Sequence, residues 1–297
     1  MYTIQKVRNL TADILWMEVF APRVAANCLP GQFLIVRLGE KGERIPLTIC
    51  DYDRIAQTVT IVFQVVGAST AKMAELRVGD AFSSVMGPLG KPSELTEETP
   101  EALRQKKILF VAGGVGTAPV YPQVKYLHSL GVPCDCIIGA RDQSLLILTD
   151  EMTAMADNVY IATNDGSAGV KGLVTDVLKD LVLHQGKHYD LCVAIGPMIM
   201  MKFCALLTRE LGIPTVVSLN PIMMDGTGMC GACRITVGGQ VKFACVDGPE
   251  FDGHLVNFDE AMNRQTLYKT EEGRAMLALR EGKHEGGCCE KEVANHA

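Results

Sequence analysis

The sequence reads Asp225-Gly-Thr-Gly-Met-Cys230-Gly-Ala-Cys233 and, twelve residues later, Cys245. With aspartate in the first place, this is the spacing of the plant-type [2Fe–2S] loop, C-x4-C-x2-C followed by a distant fourth ligand. Three thiolates and one carboxylate are thereby offered to two irons. Glycines at 226, 228 and 231 let the backbone wrap closely enough to aim amides at sulfide. The same residues admit other chemistry. Cys230, Cys233 and Cys245 with a carboxylate could hold a structural zinc, for which His254 is the nearby additional ligand, and a C-x-x-C pair can act as a redox dithiol. Asp247, just after Cys245, is an alternative to Asp225 as the oxygen ligand.

A second set of residues could receive a nucleotide. Ala112-Gly113-Gly114-Val115-Gly116-Thr117-Ala118-Pro119 lies between an apolar run and a helical pattern, so its bare amides and a helix N-terminus could meet a pyrophosphate. Pro119 stands where the G-x-G-x-x-G fingerprint has its last glycine. Gly139-Ala140-Arg141 and Gly196-Pro197 also close apolar strands and should face the same crevice, with Arg141 able to pair with a phosphate. The turn from Asp165 to Gly169 is a further candidate beside it. Each turn has a plainer reading as a tight connection without a ligand. NAD(H) and NADP(H) are not separated at this level.

These groups need elements to position them. Over residues 1–98 the runs QFLIVRL, TVTIVFQVV and DAFSSVMG, punctuated by Gly, Pro and Asp, predict a small antiparallel barrel. A polar stretch then gives way, near Thr99, to strands alternating with helices: ILFVA over 108–112, CDCIIGA, NVYIAT, DLCVAI and PTVVSL, with helices over 119–130, 173–183 and 198–211. That alternation predicts a doubly wound α/β nucleotide-binding domain over 99–220, with ligands at the carboxyl ends of its strands. A small cluster domain over 221–262 and a polar, loosely ordered tail over 263–297 complete an α+β multidomain chain.

Composition agrees with a globular protein and narrows its partners. The 297 residues are 48% hydrophobic and 21% charged, enough for a full core in two or three domains. A net charge of −6 with scattered Lys and Arg offers no footprint for nucleic acid. No run is long and apolar enough to span a membrane and no signal peptide opens the chain, so a cytoplasmic location without membrane partners is expected. Eleven cysteines in that setting are thiols or ligands rather than a disulfide framework. Cys28, Cys50, Cys134, Cys136, Cys192 and Cys204 lie in apolar stretches and are expected to be buried. Cys288 and Cys289 sit in the polar tail with no neighbouring ligands.

In the barrel, Arg44-Ile45-Pro46-Leu47-Thr48, Val66-Gly67-Ala68-Ser69-Thr70 and Gly87-Pro88-Leu89-Gly90 are, taken singly, only strand ends and turns. In that order, ahead of the Gly-Gly-Val-Gly turn and the cysteine loop, they resemble the ferredoxin reductase-like flavoproteins over roughly the first 260 residues. Within that family the chain is most similar to the electron-transfer subunits of NADH-dependent reduced ferredoxin:NADP oxidoreductase (sulfide dehydrogenase), and next to those of dihydroorotate dehydrogenase B. The resemblance implies FAD between barrel and α/β domain, with Pro46, Leu47 and Thr48 against the isoalloxazine. Val66, Gly67, Ser69 and Thr70 would lie near the pyrophosphate, with Gly87 and Gly90 in a neighbouring turn. The family's arginine, which holds flavin phosphate, stands three places before the hydroxyl; the resemblance gives that role to Arg44, although it stands four before Thr48. Asp225 departs from the four cysteines of the dihydroorotate-type subunits. The resemblance further implies a larger partner subunit carrying a second flavin and [4Fe–4S] clusters in a heterodimer, ferredoxin being reached through the complex, and electron bifurcation as the whole enzyme's task. A nonenzymatic module stabilised by zinc is the reading from a different class.

Overall fold

The computed structural model describes residues 1–40 and 42–281; Cys288 and Cys289 lie outside the described residues. The first seven strands are β1 (Tyr2–Asn9), β2 (Ile14–Phe20), β3 (Phe33–Arg37), β4 (Arg44–Asp53), β5 (Thr58–Gln64), β6 (Ala81–Phe82) and β7 (Ser84–Leu89). They form one antiparallel sheet in the order β6-β1-β2-β5-β4-β3-β7, rolled into the expected barrel. Alternation sets its inside. Leu15, Met17 and Val19 of β2 face Phe63, Ile61 and Val59 of β5, and all six are buried in one core. Helix α1 (Pro22–Asn27) and helix α2 (Ala68–Ala74) interrupt the strands.

The Thr99 side chain accepts the Ala102 amide and caps a short helix, α3 (Pro100–Arg104), at the junction. After it come β8 (Ile108–Gly113), α4 (Thr117–Ser129), β9 (Cys134–Ala140), α5 (Thr149–Met155), β10 (Asn158–Thr163), β11 (Val170–Lys171), α6 (Val174–Lys179), β12 (Leu191–Ile195), α7 (Met198–Glu210) and β13 (Thr215–Ser218). Every residue of β8 is buried, because helices cover both faces of a parallel sheet, and its sequence is accordingly apolar without alternation. The helix expected over 173–183 is α6 followed by a π-helical turn, Asp180–His184.

The cysteine-rich segment contributes β14 (Arg234–Val237), β15 (Gln240–Phe243), α8 (Ala244–Asp247) and β16 (Glu250–Asp252). Gly238 and Gly239 join β14 to β15 with φ of 58° and 75°, the left-handed pair that a two-residue hairpin requires. Strand β16 pairs antiparallel with β13 and becomes the edge of the α/β sheet, giving the order β11-β10-β9-β8-β12-β13-β16. The segment thus shares a core with both other domains: Cys233, Ile235, Cys245 and Phe258 pack with Val217 of the sheet and with Phe33 and Ile35 of the barrel.

Within the stretch expected as a loosely ordered tail, the described residues differ. Helix α9 (Phe258–Arg264) is followed by α10 (Lys269–Arg280), whose Ala275, Met276, Ala278 and Leu279 are half-buried and which lies beside α2. A spacing of three and four between those apolar residues supplies the helical face that the polar composition concealed. Among the described residues no helix is long and apolar enough to cross a membrane.

Candidate functional site

The β14–β15 hairpin brings its two flanking cysteines together. Arg234 pairs with Phe243, so Cys233 just before β14 and Cys245 just after β15 lie with their sulfurs 3.2 Å apart. Both are free thiols and both are 1% exposed. Burial, and then the adjoining Cys233 sulfur, push the Cys245 thiol up to about 12, while the Gly228 amide pulls the other way. The Cys245 amide in turn donates to the Cys233 sulfur at 3.5 Å.

The preceding loop folds around its own aspartate. Asp225 accepts the Thr227 amide at 2.8 Å and the Cys230 amide at 2.9 Å on its two carboxylate oxygens, and the Thr227 bond is the main cause holding its pKa below the ordinary carboxylate value. Gly226, Gly228 and Gly231 have φ of 77°, 84° and 68°, where side-chain-bearing residues are strained. A Cβ on Gly226 would lie 2.8 Å from Ile35 and Leu89 of the barrel wall, and one on Gly228 would lie 3.1 Å from Val246. A carboxylate and two cysteines along a loop wrapped this tightly, with a third cysteine brought in by the hairpin and an amide donated to sulfur, suit an iron–sulfur cluster. Cys230 is exposed at the loop's outer end, beside Met229 at 88% exposure. The four side chains are not closed into one group; among the described residues, no three His, Cys, Asp or Glu are gathered closely enough to hold a metal ion.

The alternative ligands make hydrogen bonds of their own, as Asp225 does. His254 Nε2 lies 3.1 Å from the Thr208 hydroxyl on α7, and its carbonyl accepts from Arg209. Asp247 accepts the Phe243 amide at 2.7 Å across the short helix α8.

In the barrel, Pro46, Leu47 and Thr48 pair with Ile35, Leu34 and Phe33 and are half-buried. Thr70 Oγ1 accepts the amides of Val66 and Gly67 at 3.0 Å, closing the turn into α2. Val66 is 72% exposed. Ser69 donates to the Glu43 carboxylate, which ties this turn to the start of β4 and joins the two expected flavin segments. Arg44 points elsewhere. Its Nε donates to the Met224 carbonyl at 2.8 Å and its Nη2 to the Asp225 carbonyl at 3.0 Å, so it grips the cysteine loop. Gly87 and Gly90 are explained by packing: a Cβ would meet Leu34 at 2.9 Å in the first case and the Gly248 carbonyl at 2.9 Å in the second.

At the α/β crevice the strand ends converge as expected. Gly113 pairs with Gly139, and a Cβ on Gly196 would be 3.1 Å from Gly113 Cα. Gly116 is required because a Cβ would come within 2.4 Å of the Ile195 carbonyl. Gly114, with φ of 54°, borders open space, and Thr117 is buried with its hydroxyl on the Gly114 carbonyl at 2.9 Å. Pro197 precedes α7. Arg141 is exposed at the end of β9 and adds a small electrostatic contribution to lowering Asp13 of the barrel, after the hydrogen bonds from Gln64 and Thr11. Asp165 accepts the Ser167 amide and hydroxyl at 2.9 and 2.7 Å. With Asp142, Gln143 and Ser144 they line an open cleft. Asp142 was not singled out from sequence; an acid directly after a strand-end arginine was the available signal.

Comparisons with known proteins converge on this arrangement. Residues 220–257 match the family model for the iron–sulfur cluster binding domain of dihydroorotate dehydrogenase B. An uncharacterized protein in the adh 3' region of Clostridium beijerinckii is 59% identical over 290 residues, covering 97% of this chain and 98% of that one. A Thermotoga maritima homolog of the electron transfer subunit of dihydroorotate dehydrogenase B (NAD(+)) is 46% identical, covering 91% of this chain and 92% of that one. Among solved structures, a chain of the NADH-dependent reduced ferredoxin-NADP oxidoreductase, studied for flavin-based electron bifurcation, superposes with a TM-score of 0.87 at 43% identity. It covers 94% of this chain and 98% of its own.

Proposed function

The chain belongs to the family of dihydroorotate dehydrogenase B electron-transfer subunits, and from that premise we propose that it carries electrons between NAD(H) and a larger partner subunit of an NADH-dependent ferredoxin:NADP oxidoreductase. It is an oxidoreductase subunit of ferredoxin reductase-like fold, working with FAD, a nicotinamide nucleotide and an iron–sulfur cluster. A flavin supplies the conversion from a nicotinamide's two-electron hydride to the single electrons that a [2Fe–2S] cluster accepts.

The observation that carries the reading is the adjacent Cys233 and Cys245 thiols behind a loop held against the flavin-type barrel. In this reading Asp225, Cys230, Cys233 and Cys245 hold the cluster, and Pro46, Leu47 and Thr48 orient the flavin ring. Ser69 turns from Glu43 toward the pyrophosphate, and the Gly114 turn leaves room for the dinucleotide, with Gly113, Gly139 and Gly196 keeping the strand ends close. The exposed Cys230 edge, flanked by Met224 at 52% and Met229 at 88% exposure, is where electrons would leave for the partner. The partner would carry a second flavin and [4Fe–4S] clusters.

A second reading, service in a dihydroorotate dehydrogenase B or sulfide dehydrogenase complex, is favoured by the match over 220–257. Asp225 in the place of a cysteine and the 43% identical structure favour the first. The subunit that co-purifies separates them.

The test is low-temperature EPR of the anaerobically purified, dithionite-reduced chain and its Asp225→Ala variant. One rhombic S = ½ signal, altered by the substitution, is expected. A signal indifferent to it would move the fourth ligand elsewhere, and iron-free, colourless protein holding stoichiometric zinc would replace the electron-transfer reading by the zinc module.

A further inference from the structure

Arg44 lies at the start of β4, the strand that continues into Pro46, Leu47 and Thr48. Resemblance placed it near flavin phosphate, yet its guanidinium reaches across to residues far along the chain. It donates through Nε to the Met224 carbonyl at 2.8 Å and through Nη2 to the Asp225 carbonyl at 3.0 Å, with Nη2 also 3.4 Å from Met86 Sδ. A planar guanidinium holding two successive carbonyls fixes direction as well as distance, which a lysine ammonium cannot do. Those carbonyls immediately precede Gly226, whose backbone lies so close to Ile35 and Leu89 that no Cβ fits. The beginning of the loop is thereby seated on the barrel by a fork on one side and by apolar contact on the other.

From this geometry we infer that Arg44 is a positioning residue for the cluster, holding the Asp225 loop in place and setting the cluster's potential, and not a flavin-phosphate ligand. The inference rests on the ligand assignment made above. Two effects operate together. The fork fixes the backbone from which the Asp225 carboxylate projects, and so constrains one ligand's angle to its iron. Its positive charge, held at the Asp225 backbone, would favour the more negative, reduced form of a cluster bound there. Because the same strand carries the flavin-facing segment, one side chain couples the placement of the flavin to that of the cluster.

The test compares the full-length wild-type chain with Arg44→Gln and Arg44→Lys, purified without air, for iron, FAD, EPR spectrum and cluster midpoint potential. Arg44→Gln is expected to shift the potential downward and change the g-values, with FAD per chain unchanged. Arg44→Lys should recover much of the potential but not the wild-type line shape, since it restores charge without the fork. Loss of iron from both variants with FAD retained would also support the clamp, since both lack the fork. Potentials and spectra indistinguishable from wild type in both variants would overturn it, as would loss of FAD with an unchanged cluster. A wild-type chain without iron would overturn the ligand assignment and this inference together.

Discussion

At the scale of single residues, the open cleft proposed to receive the nucleotide is marked by acids. Asp142 and Asp165 stand at the ends of neighbouring strands, and hydrogen bonds from the Ser167 side chain and amide hold Asp165 below the ordinary carboxylate value, so it is ionised at neutral pH. On the proposed placement of the nucleotide, these carboxylates would accept ribose hydroxyls and repel a 2′-phosphate. Arg141, the nearby cation, also lies within electrostatic reach of Asp13 of the barrel. The chain should therefore reduce an artificial dye at least tenfold more efficiently with NADH than with NADPH, judged by kcat/KM. Asp165→Ser should narrow that ratio. Equal efficiency with the two nucleotides in the wild-type protein would remove the acids from the recognition argument.

At the scale of elements, the cluster site is a hairpin and a loop with different tasks. The β14–β15 hairpin sets Cys233 beside Cys245 through a register that its two left-handed glycines determine, whereas the 225–231 loop must wrap without a template of its own. Gly226 is the sensitive point, since its φ is 77° and a methyl group would press on Ile35 and Leu89 at 2.8 Å. Gly226→Ala should cost about 1–3 kcal/mol in overpacking and backbone strain. Most of that cost would fall on the loop, so the expected result is a folded chain with at least half its iron lost and its FAD retained. Full iron content with unaltered EPR would show that the loop relaxes around the methyl group.

At the scale of the whole molecule, all three folded units meet around a half-buried acid. Glu250 on β16 accepts Gln123 Nε2 of α4 at 2.6 Å, and its carboxylate lies where a Cβ on Gly31 of the barrel would be 3.2 Å away. Burial is the main cause lifting its pKa to about 7, with the Ser93 and Gln123 hydrogen bonds opposing it. The folded chain therefore binds this proton more tightly than the unfolded chain. Stability falls as pH rises from the unfolded carboxyl's range toward 7, by at most about 3 kcal/mol, and the penalty persists above it. Glu250→Gln should raise the thermal midpoint at pH 8 and change it little at pH 5. A variant that is equally or more strongly destabilised at pH 8 would mean that ionised Glu250 is a net stabiliser of the junction. Lys125, bonded to both oxygens of Asp51 at 2.7 and 2.8 Å, fastens barrel to α/β domain on another side, but its exposure limits its worth to about 1 kcal/mol.

What the sequence determined by itself follows from local rules. Alternation and turn residues marked the barrel strands, unbroken apolar runs marked the parallel strands, and the Asp225-to-Cys245 spacing carried its chemistry in covalent order. Tertiary structure decided what depends on residues distant along the chain. Only the folded molecule turns Arg44 from the flavin segment to the loop 180 residues later, spends Gly90 on contact with Gly248, and joins β16 to β13. It also sets Glu250 at a three-way junction that no local pattern announces. The physical reason is that periodicity reports which face of an element is buried, whereas a partner for a guanidinium or a carboxylate is selected by how complete elements pack together.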